Sequence, residues 1–203
     1  MTKNKAFTLS ELLVALGVLG VIAGLVIPAT VKNINEKVFT TGIKNITGSV
    51  QQLASDKMIE NKTKSLLDTI FASSNLLSNG FTWSKSCETA TSGCLASSYR
   101  NINGENIESS IFSSYSAIKL KNGAAIAYLY SYSSSTDKVG TFIVDVNGED
   151  NPNVAGRDLY AFDIDVKGEI NGTSTGSCTA ATSIADLKNC FYRVMDNNWK
   201  MNY

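Results

Sequence analysis

Few side chains in this sequence of 203 residues can do acid–base or metal chemistry, and histidine is absent. Histidine is the commonest general base and the commonest metal ligand in proteins, so neither a Ser-His-Asp nor a Cys-His nucleophilic site can be assembled here. The sequence also has no phosphate-binding P-loop and no nucleophile motif. We therefore predict that the protein is not an enzyme and has no catalytic residues.

The cysteines are the next candidates for covalent or metal chemistry, at Cys87, Cys94, Cys178 and Cys190. Neither pair has CxxC spacing, and a mixed zinc site would need a histidine. An even number of cysteines in an exported chain indicates disulfides, for which three connectivities are possible. We favour the local one, Cys87–Cys94 with Cys178–Cys190. The alternative, for a cytosolic chain, is four buried thiols.

Oxygen donors are concentrated in one segment of the chain, and they are Asp145, Asn147, Glu149, Asp150 and Asp158. Calcium takes six to eight oxygen ligands, so a calcium site is one interpretation of this segment. The spacing departs from the EF-hand pattern, and Asp and Asn are also ordinary turn formers that bond to their own backbone. We therefore expect a rigid loop without metal and no cofactor, with calcium as the alternative.

Glu11 is the only ionisable side chain in a long apolar segment that runs from Phe7 to Ala29. A helix of this length reaches about 35 Å, enough to cross the roughly 30 Å hydrocarbon core of a membrane. A cleaved secretory signal has a shorter apolar run, of about 7–15 residues. An ordinary membrane anchor gives no reason for a carboxylate inside the span, where ionisable groups are costly and usually mark a function.

A third interpretation comes from the residues around the start of this segment. The run KAFTLSELLV, from Lys5 to Val14, resembles the cleavage and methylation motif of type IV prepilins and pseudopilins. The resemblance implies cleavage between Ala6 and Phe7 and N-methylation of Phe7. It also implies that Glu11 neutralises the terminal amine of a neighbouring subunit, and that Pro28 kinks the helix. The sequence departs from the family at Ala6, where the family usually has glycine.

The resemblance also implies a location and a set of partners. A protein of this family is a structural subunit, inserted once in the bacterial inner membrane with its N-terminus in the cytoplasm. It then polymerises into a periplasmic type II secretion pseudopilus or a cell-surface type IV pilus. The implied partners are other filament subunits of the same or another kind, the prepilin peptidase, the inner-membrane assembly machinery, and membrane lipid before assembly.

Two functional questions stay open at this point. The alternative function is that of a membrane-tethered, adhesin-like minor pilin whose head binds a surface. Its formal net charge is zero, so the composition gives no electrostatic reason to expect nucleic acid as a partner. The sequence does not distinguish a major pilin, a minor pilin, a competence pilin and a secretion pseudopilin.

The elements that must position these residues can be predicted from hydrophobic spacing. Apolar residues continue at three- to five-residue steps beyond Ala29, which predicts one helix from about Phe7 to about Glu60. Alternating apolar runs at 116–120, 125–130, 140–146 and 159–166 predict about four antiparallel strands, the first two joined at Asn122-Gly123. Residues 66–71 predict a short helix, and residues 184–199 predict either a last short helix or a wrap that ends at Tyr203.

Together these patterns predict an α+β fold, and the resemblance implies the ladle shape of pilins. In that layout the long N-terminal helix spans the membrane with its first half and packs with its second half on an antiparallel sheet. The expected divisions are a leader at 1–6, a transmembrane and assembly half of the helix at 7–29, an amphipathic half at 30–60, and a globular head at 61–203.

Overall fold

The computed structural model describes residues 8–203, except for the side chain of Ala29. The chain divides into two compact units, Met1–Val38 and Phe39–Tyr203. The helices are α1 (Leu9–Glu60), α2 (Leu76–Gly80) and α3 (Ile184–Asp196). The strands are β1 (Trp83–Cys87), β2 (Tyr99–Arg100), β3 (Asn106–Ile107), β4 (Ser116–Leu120), β5 (Ala125–Ser133), β6 (Lys138–Asp145), β7 (Leu159–Asp165) and β8 (Ile170–Asn171).

Helix α1 follows the predicted course, since it is continuous from Leu9 to Glu60 with Pro28 inside it. Within the Phe39–Tyr203 unit its buried apolar side chains are Ile43, Ile46, Val50 and Ala54. Steps of three and four residues place these side chains on one face of the helix, and this face joins the hydrophobic core.

The sheet confirms the α+β class but has more strands than the sequence predicted. It is six-stranded, in the order β1-β4-β5-β6-β7-β8, and every neighbouring pair is antiparallel. The β4–β5 hairpin turns at Asn122-Gly123 as expected, and the φ of Gly123 is +92°. Our expectation of about four strands was wrong because β1 carries four exposed side chains in a row and β8 has only two residues.

The segment before the sheet also differs from the prediction. Two 3-10 helices, Leu66–Asp68 and Ile70–Ala72, replace the single short helix expected at 66–71. The side chain of Ser65 caps the first and that of Thr69 caps the second, so each hydroxyl starts its own short turn. A separate two-stranded sheet, β2–β3, was not predicted either.

A row of aromatic rings ties the sheet to α3. Phe142 lies between Tyr128 and Phe162, with ring centroids 4.6 and 5.3 Å away, and Phe162 contacts Phe191 of α3 at 5.0 Å. All four rings are buried. Aromatic pairs at these distances contribute about 0.5–1.5 kcal/mol each beyond the area that they bury. The Phe39–Tyr203 unit therefore has a complete core of its own.

Candidate assembly site

The start of α1 is built around Thr8 and Glu11. The backbone N–H of Thr8 donates to Glu11 Oε2 at 2.8 Å, and the Thr8 hydroxyl donates to the same oxygen at 2.7 Å. In return, the backbone N–H of Glu11 donates to Thr8 Oγ1 at 3.3 Å. This is a capping box, in which the residue before the helix and the third helical residue satisfy each other's backbone N–H groups. Glu11 therefore has hydrogen-bonding partners within its own chain.

The helix beyond Glu11 presents apolar side chains to its surroundings. Leu12 is 52% exposed, and Leu25 reaches 75%. Every residue from 12 to 28 is exposed. Among the described residues, α1 is the only helix long and apolar enough to cross a membrane, and none of its most apolar window is buried. A helix that is apolar on all sides needs lipid or other protein around it.

Small residues open this surface further. A Cβ atom placed on Gly17, Gly20 or Gly24 would meet no atom within 4 Å. Gly20 and Gly24 are four residues apart, the spacing that lets two helix backbones approach closely in membranes. The described residues thus leave the space beside these three glycines empty, and a second helix can pack there.

Pro28 lies in the same stretch. Its ring nitrogen has no hydrogen to donate, so the helical hydrogen bond to the carbonyl of Gly24 is missing. Two residues later the Thr30 hydroxyl donates to the carbonyl of Val26 at 2.9 Å. The helix runs through this point, and the predicted kink stays a prediction.

Comparison with known proteins identifies this segment. Residues 1–27 match the family model described as the prokaryotic N-terminal methylation motif. The chain carries a prepilin signal of the type IV pilin and pseudopilin class. No curated protein and no solved structure matched the chain.

The prepilin signal includes Ala6 and Phe7, the predicted cleavage and methylation positions, which lie outside the described residues. Glu11 lies inside both the signal and the described helix. The layout of the described chain, a long helix followed by an antiparallel sheet, is the pilin-like α+β layout predicted from the sequence. The signal and this layout together support a subunit of the pilin or pseudopilin type.

Both predicted disulfides are present in the structure. Cys87 pairs with Cys94 over a separation of 7 residues, and Cys178 pairs with Cys190 over 12. Gly156, with φ of +79°, packs on the second disulfide so closely that a Cβ atom there would lie 2.5 Å from Cys178 Sγ. The second disulfide therefore supports the loop that was considered for calcium.

That loop is held by its two buried end carboxylates. Oδ1 of Asp145 accepts the backbone N–H of Gly148 at 2.8 Å, and its other oxygen accepts the hydroxyl of Tyr99. Asp158 accepts the backbone N–H groups of Asn153 and Val154, each at 2.7 Å. Burial raises the pKa of Asp145 well above its usual range and that of Asp158 to about 6.

The other calcium candidates are less enclosed. Glu149 is exposed and pairs with Lys119 at 2.9 Å, and this hydrogen bond lowers the pKa of Glu149. Asp150 is exposed, and its carbonyl accepts the amide of Asn147 at 2.6 Å. In the described part of the chain no group of three or more Asp, Glu, Cys or His side chains is arranged to hold a metal ion. The end carboxylates accept N–H and O–H donors, and calcium stays the untested alternative for this loop.

Sequence reasoning missed two partners of these acids. Thr8 was missed as the partner of Glu11, although the Thr-x-x-Glu spacing of a capping box was readable before the apolar run. Tyr99 was missed as the partner of Asp145. The two lie 46 residues apart, so no local pattern joins them.

Proposed function

We propose that the chain is a subunit that polymerises into a type IV pilus or a type II secretion pseudopilus through the first half of α1. The observation that carries the proposal is the exposed, uncharged helix surface after Glu11, which lies within the residues that match the prepilin signal. In the membrane, lipid covers this surface; in a filament, the helices of neighbouring subunits cover it instead. The two states differ little in apolar contact, so the helix can move from one to the other.

Glu11 gives this transfer its direction. Before assembly its carboxylate is held by Thr8, at the start of its own helix. After leader removal, each subunit has a positive amine at Phe7. A carboxylate and an ammonium group that meet in an apolar interior form a pair that neither could leave without becoming an unpaired buried charge. We therefore expect Glu11 to exchange its bonds to Thr8 for the amine of a neighbouring subunit.

The proposed route follows from the signal. The precursor enters the inner membrane once, with its N-terminus in the cytoplasm, and a prepilin peptidase cuts between Ala6 and Phe7. The inner-membrane machinery then moves the subunit from lipid into the filament. Residues 7–29 serve as the membrane and assembly segment, and the rest of the chain lies on the far side of the membrane. There the disulfides Cys87–Cys94 and Cys178–Cys190 are stable because that compartment is oxidising.

The first test is N-terminal sequencing of the chain recovered from sheared filaments. A start at methylated Phe7 is expected, and a start at Met1 in filaments would contradict the proposed processing. The second test compares Glu11→Gln with wild type. Glutamine keeps the capping box, so membrane insertion should be unchanged, but it removes the charge, so incorporation into filaments should be lost. Glu60→Gln, at an exposed glutamate of the same helix, is the matched control. Normal assembly of Glu11→Gln would refute the charge pairing.

A polar cleft favours adhesion as a second candidate function. The cleft has a volume of about 430 Å³, and its lining includes four residues of α3: Asn189, Tyr192, Arg193 and Asp196. An aromatic ring beside amide, guanidinium and carboxylate groups suits a neutral or acidic sugar. Saturation-transfer NMR with common monosaccharides on the full chain in detergent should show magnetisation transfer to the sugar. Tyr192→Ala should abolish this transfer. No transfer to any of the sugars, or transfer that Tyr192→Ala leaves unchanged, would leave this candidate without support.

A further inference from the structure

One aliphatic side chain projects from the Phe39–Tyr203 unit without cover. Ile59, near the end of α1, is 75% exposed, more than any other large hydrophobic side chain described in this unit. Asp56 lies one helical turn before it and has no ion pair or side-chain hydrogen bond within residues 8–203. An exposed isoleucine beside an unpaired carboxylate forms a small apolar projection with a negative edge. We call Ile59 and Asp56 the knob.

A groove of opposite character lies elsewhere on the same unit. It has a volume of about 340 Å³, and its apolar lining is formed by Ile46, Phe81, Leu120 and Ile126. Ile46 and Ile126 are buried, so they form the floor. Lys121 also lines the groove, is exposed, and has no ion-pair partner in the part of the chain that the structure describes. The groove is therefore an apolar slot with a positive edge.

We propose that the knob of one copy of the chain binds in the groove of a second copy, with Asp56 of one facing Lys121 of the other. This rests on the proposed function, in which copies of the chain are brought side by side. The occupant is a second copy because an apolar projection with a negative edge and an apolar groove with a positive edge complement each other in polarity and charge. The isoleucine gains an apolar enclosure, and the aspartate and lysine gain the partners that they lack in the single chain.

The positions of the two features decide the kind of assembly. Along α1, Ile59 lies 13 residues beyond Ile46 and 10 beyond Ser49, which also lines the groove, or about 15–20 Å at the helical rise. Ser49 lies about 80° around the helix axis from Ile59 at 3.6 residues per turn. The knob and the groove thus differ in height and direction. A copy that uses its knob on one neighbour and its groove on another makes a heterologous contact, which continues into an open helical array when the rotation between copies does not close a ring.

Charge exchange tests the contact in the full chain assembled by its own machinery. Lys121→Glu and Asp56→Lys should each lower the sedimented filament fraction about tenfold, because like charges would then face each other. The double variant should recover wild-type assembly. Lys200→Glu, which changes another exposed lysine outside the groove, should have no effect. If the single variants assemble normally, or if the double variant is worse than either, the proposed pairing is wrong.

Cysteine crosslinking tests the geometry independently. Oxidation of filaments that carry both Ile59→Cys and Ser49→Cys should give a ladder of dimers, trimers and longer species, because every copy links to two neighbours. Neither single variant should give a ladder. Dimers alone would indicate a two-fold contact, and an adduct with a different protein would indicate another occupant; either result overturns the proposal. If Phe7-started chains occur in filaments but no ladder forms, this inference fails and the proposed function stands.

Discussion

Replacing Tyr99 by phenylalanine should be one of the most damaging single-atom deletions in the head. The Tyr99 hydroxyl donates to the carboxylate of Asp145 and accepts the backbone N–H of Ala96 at 2.9 Å. Tyr99 is 1% exposed and Asp145 is fully buried, so water cannot replace the missing group. The substitution leaves two buried polar groups without a partner, a carboxyl oxygen of Asp145 and the N–H of Ala96, and each costs about 1–3 kcal/mol. We therefore expect Tyr99→Phe to lower the free energy of unfolding by about 3–5 kcal/mol.

Tyr128→Phe is the matched control for this prediction. Tyr128 is as buried as Tyr99, and its hydroxyl donates at 2.6 Å to the carbonyl of Phe71, a neutral acceptor. Its loss should cost only about 1–2 kcal/mol. The assay is urea unfolding of the full chain in detergent, followed by the near-ultraviolet circular dichroism of the head. If Tyr99→Phe costs no more than Tyr128→Phe, the carboxylate of Asp145 does not depend on the phenol and the reasoning fails.

Three further outcomes can be measured with the same assay. Gly42→Val should lose about 1–3 kcal/mol because a Cβ atom there overlaps Val146, whereas Gly48→Val, with open space at its Cβ, should change stability by about 0.5 kcal/mol or less. The free energy of unfolding should fall as the pH rises from 5 to 7. The pKa of Asp158 is about 6 in the folded chain against an ordinary 3.8, so the folded chain keeps a proton that the unfolded chain has released. A flat or rising pH profile would contradict this. Millimolar calcium, compared with chelator, should leave the melting temperature unchanged, since the carboxylates of Asp145 and Asp158 already accept N–H or O–H donors; a clear rise would establish a calcium site.

The elements that could be predicted are those with a sustained pattern. Helix α1 was predicted to within a few residues because its apolar positions extend over many turns. Strands β4 to β7 alternate or are apolar throughout, and their predicted bounds agree to within three residues. Strand β1 was missed since its exposed, polar side chains lack the alternation of a half-buried strand. It belongs to the sheet only because β4 offers an edge to pair with, which no local pattern reveals.

The functional residues divide in the same way. Glu11 stood out because a carboxylate in a long apolar run is costly, whatever the fold. The local cysteine pairing could also be favoured from short separations. In contrast, the groove on the head joins residues from α1, the segment before β1, and the β4–β5 hairpin. Only the tertiary packing of these elements creates it, so the sequence could not show where a neighbour would bind.

The energetics of the two units indicate where a filament would gain most of its stability. Moving the first half of α1 from lipid to a bundle of helices would exchange one apolar environment for another, so hydrophobic burial would contribute little to that step. Glu11 begins with partners in its own capping box, which reduces the net gain from its new pairing. Outside the membrane the reference state is water, and each apolar area that is covered there contributes fully. In the proposed filament, contacts between Phe39–Tyr203 units, such as Ile59 in the groove, would therefore decide whether subunits remain assembled.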